Sequence, residues 1–124
     1  GRAFLTDNPL SYNFAQSLDF TKVNPRFNQP NYDHNILITD KFRNYAKDLG
    51  VASATLSISW LLSQGEHVIP IPGTRSVKHL KELAAGMEFD MTDKIKSEIE
   101  DILPLGWAYG DRYSEAQWIG PERY

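Results

Sequence analysis

The residues best suited to chemistry lie between residues 67 and 82, in the stretch HVIPIPGTRSVKHLKE. A short apolar run and a glycine are followed by Ser76, a favourable N-cap, and then by apolar residues at helical spacing. At the start of this predicted helix the chain places Arg75, Lys78 and His79. Because a helix N-terminus already attracts anions, additional cations there favour a bound phosphate or a similar multiply charged anion.

A second interpretation of the same stretch stays open at this point. Turns that join a strand to a helix through a glycine are common, and Arg and Lys side chains are mostly exposed to solvent. The spacing of Arg75 and Lys78 therefore fits a solvated surface turn as well as a phosphate site.

The segment from Val68 to Ile71 predicts a short strand that is buried on both faces. Pro70 and Pro72 make it an unusual strand, because proline has no N–H for a ladder. Gly73 follows and permits a tight turn. A lone strand needs partners, and no other strand is predicted here, so the partner strands must come from outside this sequence.

Apolar periodicity predicts the helices that position this strand and turn. Apolar residues recur every three or four positions from Asn35 to Leu49, and Gly50 is a natural C-terminal stop. Ser53 and Thr92 are predicted N-caps of later helices. Those further helices are predicted over residues 53–63, 76–85 and 93–103.

The two ends of the chain are predicted to be ordered rather than free. Residues 1–34 predict a long loop with one short helix near Phe14 to Asp19, and such loops are often functional. The tail from residue 104 is rich in aromatic side chains, which predicts that it packs against something. It would lie either over a binding pocket or over a neighbouring helix.

Composition excludes several classes of function for these 124 residues. The net charge of −3 argues against a nucleic-acid partner, and no apolar run approaches the roughly 18 residues of a membrane helix. Cysteine is absent, which excludes disulfides and fits a cytoplasmic protein. The three histidines are scattered, so neither a metal site nor a catalytic set is predicted by spacing.

Several segments, in order, resemble the aldo-keto reductases. Residues 69–75 (IPIPGTR), followed by Leu80 and Glu82, resemble the nicotinamide-nucleotide segment of that family, which comprises its last barrel strand and the following loop and helix. The other segments that carry the resemblance are Gly1–Thr6 (after the seventh strand), Asn24–Phe27 (a loop near the cofactor), Ala54–Leu62 (the helix before the last strand) and Gly110–Tyr113 (a tail).

The resemblance implies an α/β fold class, with this chain as the C-terminal part of a (β/α)8 TIM barrel. A complete barrel takes about 250 residues, so this segment is expected to be mainly helical with one short barrel strand. Its expected parts are a cofactor-covering loop (1–34), helices with the last strand (35–103) and a C-terminal tail (104–124). The expected partner is the N-terminal part of the same barrel.

The resemblance also implies reversible hydride transfer between NADPH and a small-molecule aldehyde or ketone. The family's catalytic residues come from earlier strands, so no position here matches them, and this chain is expected to bind the cofactor. By the match, Gly73 and Thr74 contact the cofactor, and Glu82 accepts from the adenine amino group. Arg75 and His79, with nearby Lys78, hold the 2′-phosphate, while Gly1 and Arg2 lie along the pyrophosphate. Arg26 either reaches the phosphates or is a surface arginine beside a turn.

Two positions depart from the family pattern. Leu83 stands where the family usually has Asn, which removes one adenine hydrogen bond. His79 stands where Arg is frequent, so its hold on a phosphate would depend on pH.

Two alternatives to a reductase remain. One is a related regulatory subunit that binds nucleotide without turnover, and the other is a freestanding helical interaction module.

We predict that the purified 124-residue chain alone has no reductase activity, because it lacks any matched hydride-transfer acid or base. The measurement is loss of NADPH absorbance in the presence of aldehydes and ketones. Turnover above that of a heat-denatured control would contradict the prediction.

Overall fold

The computed structural model describes residues 2–118. Within them the chain forms six α-helices: α1 (Tyr12–Ser17), α2 (Asp19–Lys22), α3 (Asn31–Asp48), α4 (Ser53–Leu62), α5 (Val77–Ala84) and α6 (Asp93–Ile102). Short 3-10 helices cover Pro25–Phe27, Ala85–Met87 and Glu115–Gln117. In this part of the chain no helix is both long and apolar enough to cross a membrane.

The predicted strand from Val68 to Ile71 is not formed in the structure. No residue between 2 and 118 lies in a strand, so this segment has no ladder partner among the described residues. Without a partner its apolar side chains are not covered, and Ile69 and Ile71 are 81% and 92% exposed. The tight turn expected at Gly73 is also absent, since the backbone instead bends at Arg75.

The helix predicted from Asn35 begins earlier, at Asn31, and crosses the expected boundary after residue 34. This extra turn buries Tyr32, whose hydroxyl donates to the Leu10 carbonyl at 2.7 Å. The stop at Gly50 is confirmed, because Gly50 has φ +75° and its N–H donates to the Lys47 carbonyl. This is the left-handed C-terminal motif that glycine favours.

Two of the later helices are capped by the residue that precedes them, and a third is capped by a residue distant in sequence. Ser76 caps α5 and Thr92 caps α6 through their hydroxyl oxygens, as predicted. Ser53 was expected to cap α4 but is its first residue. The Asp7 carboxylate caps this helix instead, accepting from the Ser53 N–H at 2.9 Å and from its hydroxyl at 2.7 Å.

Two hydrophobic clusters form the core, and α3 contributes to both. The first joins Phe4, Ala15, Phe27 and Tyr32, and the second joins Phe42, Ala46, Leu56 and Ile99. Residues 1–34 were predicted as a loop with one short helix, but they contain α1, α2 and a 3-10 helix. Ala15 of α1 and Phe27 of the 3-10 helix join the first cluster, whereas Phe14 and Phe20 are 53% and 49% exposed.

We predict that Asp7→Ala lowers the free energy of unfolding by about 1 kcal/mol, the usual cost of losing an N-cap acceptor. Asp7→Asn is the matched control, because its amide oxygen keeps an acceptor for Ser53. Urea unfolding of the three proteins is the measurement. Equal loss in both variants would show that the charge, rather than the hydrogen bonds, matters.

Candidate functional site

A cavity of about 560 Å³ lies between the N-terminal residues, α4, residues 70–73 and α6. Its wall is mostly apolar and includes Leu5, Phe42, Ile58, Leu61, Ile99 and Trp107. Arg2 and Gly73 line the same cavity, so it brings together two segments that sequence reasoning had assigned to one cofactor.

Trp60 adds an unusual polar group to this wall. Its indole nitrogen is buried and has no hydrogen-bond partner among the described residues. A buried donor without a partner costs about 1–3 kcal/mol. The mostly apolar wall therefore includes a tryptophan whose buried N–H has no partner among the described residues.

The turn before α5 is ordered by short-range hydrogen bonds. Thr74 Oγ1 accepts from the Ser76 N–H at 3.2 Å, and Ser76 Oγ accepts from the His79 N–H at 3.4 Å. The first turn of α5 contains no acidic residue. The partial positive charge at the N-terminus of α5 is therefore not offset by a carboxylate in its first turn.

Packing against α4 fixes the position of α5. Thr55 Oγ1 donates to the Glu82 carbonyl at 2.6 Å. At Gly86 a Cβ atom would come within 2.7 Å of the Ile58 Cβ, so only glycine allows the chain after α5 to approach α4 this closely. The turn is thus positioned by helix pairing, without the predicted strand.

The charged residues predicted around this turn lie at the surface. Arg75, Lys78 and His79 are exposed, and Arg75 takes part in none of the ion pairs between described residues. Lys78 Nζ lies 3.8 Å from Glu82 Oε1, but its side chain is 77% exposed. An exposed pair of this kind contributes about 0–1 kcal/mol, so Lys78 can turn to an anion at little cost.

Gly73 is not required by the local fold. A Cβ atom there would meet nothing within 4 Å, and its φ lies outside the left-handed region. The open space leaves its backbone accessible to a ligand. The next residue, Thr74, is also exposed. Its hydroxyl donates to the Ser76 carbonyl at 3.4 Å and keeps one acceptor lone pair beyond its bond from the Ser76 N–H.

Arg2 and Arg26 meet at the tail of the chain. Arg26 Nε donates to the Gly110 carbonyl at 3.2 Å, and Arg2 Nη1 donates to the Arg112 carbonyl. Burial, together with the positive charges of Arg2 and Arg112, lowers the pKa of Arg26 below its ordinary value. Sequence reasoning placed Arg2 and Arg26 at phosphates but gave Arg112 no role, since nothing in the linear sequence shows that the tail reaches them.

The predicted binding residues therefore fall into two groups. Arg2 and Arg26 form one beside the tail, and residues 73–82 form the other at α5, with the cavity touching both. Gly1 lies outside the described residues. Cofactor binding by both groups stays a prediction. Within residues 2–118 no cluster of three or more acidic or histidine side chains is arranged to hold a metal.

Comparison with known proteins identifies the family of this chain. The model of the aldo/keto reductase family matches residues 5–104, which is most of the sequence. The chain therefore belongs to the aldo/keto reductase family, and membership of this family implies a TIM barrel fold. No solved structure gives a significant match.

Two curated relatives agree with this assignment. The chain is 32% identical over 113 residues to aldo-keto reductase yakc of Schizosaccharomyces pombe, whose name specifies NADP(+), covering 91% of this chain and 33% of that protein. It is 36% identical over 92 residues to probable aldo-keto reductase 1 of Glycine max, covering 74% of this chain and 27% of that protein. The chain thus spans about a third of the length of these relatives.

Proposed function

We propose that the complete protein is an NADPH-dependent oxidoreductase that reduces aldehydes or ketones to alcohols, and that this chain is its cofactor-binding C-terminal part. The observation that carries the proposal is the exposed cationic turn of Arg75, Lys78 and His79 at the start of a helix without early carboxylates. Family membership and the NADP(+) in the name of the yeast relative support it.

The residues of this chain would bind and orient the cofactor, which supplies the hydride when bound. Arg75 and His79, with Lys78, would hold the 2′-phosphate, whose charge distinguishes NADPH from NADH. Gly73 and Thr74 would contact the cofactor through backbone and hydroxyl, and Glu82 would accept from the adenine amino group. Gly1 and Arg2 would lie along the pyrophosphate, and Arg26 would reach the phosphates.

Leu83 weakens one part of this arrangement. It is half-buried and lines the cavity, so its side chain offers no hydrogen bond to an adenine. The loss of one such hydrogen bond makes the free energy of cofactor binding less favourable by about 1 kcal/mol. Cofactor affinity would then depend more strongly on the phosphate contacts than on the base.

We also propose that the cavity wall faces the N-terminal part of the same barrel. Ile69 and Ile71 are almost fully exposed. Ile71 lines the same cavity as Trp60, whose buried N–H has no partner among the described residues. Neighbouring strands would cover the apolar side chains and pair the backbone of residues 68–71.

A cytoplasmic location stays a prediction that rests on the absence of cysteine.

Of the alternatives, the freestanding interaction module is disfavoured by the family match across residues 5–104. A regulatory subunit that binds nucleotide without turnover remains an alternative to the enzyme. The sequence preceding Gly1 separates the two, because an intact set of catalytic residues favours the enzyme.

We predict that Arg75→Ala in the complete protein weakens NADPH binding about tenfold or more and leaves NADH binding nearly unchanged, because a charge-assisted contact contributes about 1.5–3 kcal/mol. Titration of protein fluorescence with each cofactor is the measurement. Lys41→Ala on α3, which removes an exposed lysine, is the control for loss of one surface charge. If the affinities for NADPH and NADH fall equally, Arg75 does not bind the 2′-phosphate.

We predict that this chain associates with a separately produced N-terminal part of the protein. Amide exchange at Ile69 and Ile71 should be fast in the chain alone and slow in the complex, because only a paired strand protects these N–H groups. Sedimentation measures the association. Slow exchange at both amides in a strictly monomeric chain would contradict the barrel proposal.

A further inference from the structure

Helix α5, which carries Lys78, His79 and Glu82, is not held in place by apolar burial. Among the described residues, none in α5 is buried, and neither hydrophobic cluster includes a residue of this helix. Its apolar residues Val77 and Leu80 are both mostly exposed. The position of α5 in this structure therefore depends on its other contacts with α4.

Two buried hydroxyls of α4, those of Thr55 and Ser59, supply such contacts. Thr55 Oγ1 donates to the Glu82 carbonyl at 2.6 Å. Ser59, one helical turn later, donates through Oγ to the Phe89 carbonyl at 3.2 Å. Hydroxyls inside a helix can bond back to carbonyls of their own helix, whereas these two bond to other segments. They therefore tie α4 to α5 and to the chain that follows α5.

The hydrogen bond from Thr55 satisfies a carbonyl at the end of α5. Glu82 is among the last four residues of that helix, where carbonyls have no partner within the helix. A carbonyl that is left unpaired away from water is costly, so the bond from Thr55 stabilises one arrangement of the two helices. It thereby fixes the backbone of Glu82 relative to α4.

Gly86 brings the chain after α5 against the same part of α4. A Cβ atom at this position would come within 2.9 Å of the Thr55 carbonyl oxygen and 2.8 Å of Ile58 Cγ2. The backbone of α4 cannot move aside as a flexible side chain can, so a larger residue would push the end of α5 away. Thr55 thus contacts the end of α5 through its hydroxyl and the following turn through its carbonyl.

The carboxylate of Glu82 extends from this fixed backbone. The side chain is only partly exposed, and its Oε1 atom lies 3.8 Å from Lys78 Nζ. A partly buried side chain has few positions open to it, so a shift of the Glu82 backbone would also move the carboxylate. The hydroxyl of Thr55 therefore influences where this acceptor lies.

We propose that Thr55 is a positioning residue for adenine recognition, because its hydroxyl holds Glu82 where the carboxylate can accept from the adenine amino group. Thr55 would act through Glu82 and not by contacting the cofactor. The inference rests on the proposed function, which gives Glu82 this contact with adenine. Leu83 offers the base no hydrogen bond, so only the contact of Glu82, among those proposed, identifies adenine.

The test is a fluorescence titration of the complete protein with NADPH and with its hypoxanthine analogue, in which an oxygen replaces the adenine amino group. We expect the parent to bind NADPH about tenfold more tightly, because the analogue loses a hydrogen bond to a carboxylate. Thr55→Val removes the hydroxyl and should bring the two affinities close together by weakening NADPH binding. Thr55→Ser keeps a hydroxyl and should restore the preference for NADPH.

Ser59→Ala is the matched control, since it removes another buried hydroxyl of α4 that donates to a carbonyl. We expect it to lower stability in urea, as Thr55→Val does, and to keep the parent's preference for NADPH over the analogue. If Ser59→Ala loses this preference as well, the effect of Thr55 is a general one on stability, and the proposal is overturned.

Gly86→Ala alters the same contact from the side of α5 and replaces Thr55→Val in the test if that variant does not fold. It keeps the side chains of Thr55 and Glu82 but should separate them, and it should therefore also reduce the preference for NADPH over the analogue. A parent-like preference in either folded variant would overturn the proposal.

The same titrations separate the role of Thr55 from the proposed function. If the parent prefers NADPH to the analogue and Thr55→Val keeps this preference, only the role of Thr55 is rejected. If the parent binds both molecules equally, the adenine contact of Glu82 and the role of Thr55 are rejected, while NADPH binding stands. A parent that binds neither molecule would reject the proposed function and the role of Thr55 together.

Discussion

The fully buried amide of Asn35 is the interaction on which the cationic part of the structure depends. It donates to the carbonyls of Arg26 and Tyr109 and accepts from the Tyr109 N–H, so one side chain joins α3, the preceding segment and the tail. A buried amide must satisfy both its donors and its acceptor, which allows few arrangements of its neighbours. This constraint brings Arg26 and Arg112 to the same place.

A second part of the structure is governed by apolar surface. The second core cluster, around Phe42 and Leu56, is closed by α3, α4 and α6, while Ile69 and Ile71 stay uncovered beside the cavity. A helical segment that belongs to a barrel family is expected to carry such a surface, because barrel helices pack on strands. The polar and apolar sides meet at the N-terminal residues, where Arg2 lines the cavity and also contacts the tail.

Helices and their ends could largely be read from local sequence. Ser76, Thr92 and Gly50 act where their chemistry predicts, because caps and left-handed stops depend on nearby atoms. The predicted cap at Ser53 was wrong because Asp7, which is distant in sequence, supplies the acceptor. The strand predicted over residues 68–71 is not formed among the described residues, because a strand needs a partner and an apolar pattern alone cannot provide one.

By itself, the sequence determined the family, the order of helices and the cationic turn at Arg75, since these depend on residue types at short spacing. Only the tertiary structure decided that Arg2, Arg26 and Arg112 converge and that Asp7 caps α4. It also decided that the buried N–H of Trp60 has no partner among the described residues. Each of these joins residues that no local pattern relates. The physical reason is that buried polar groups and uncovered apolar surfaces are properties of how elements pack together.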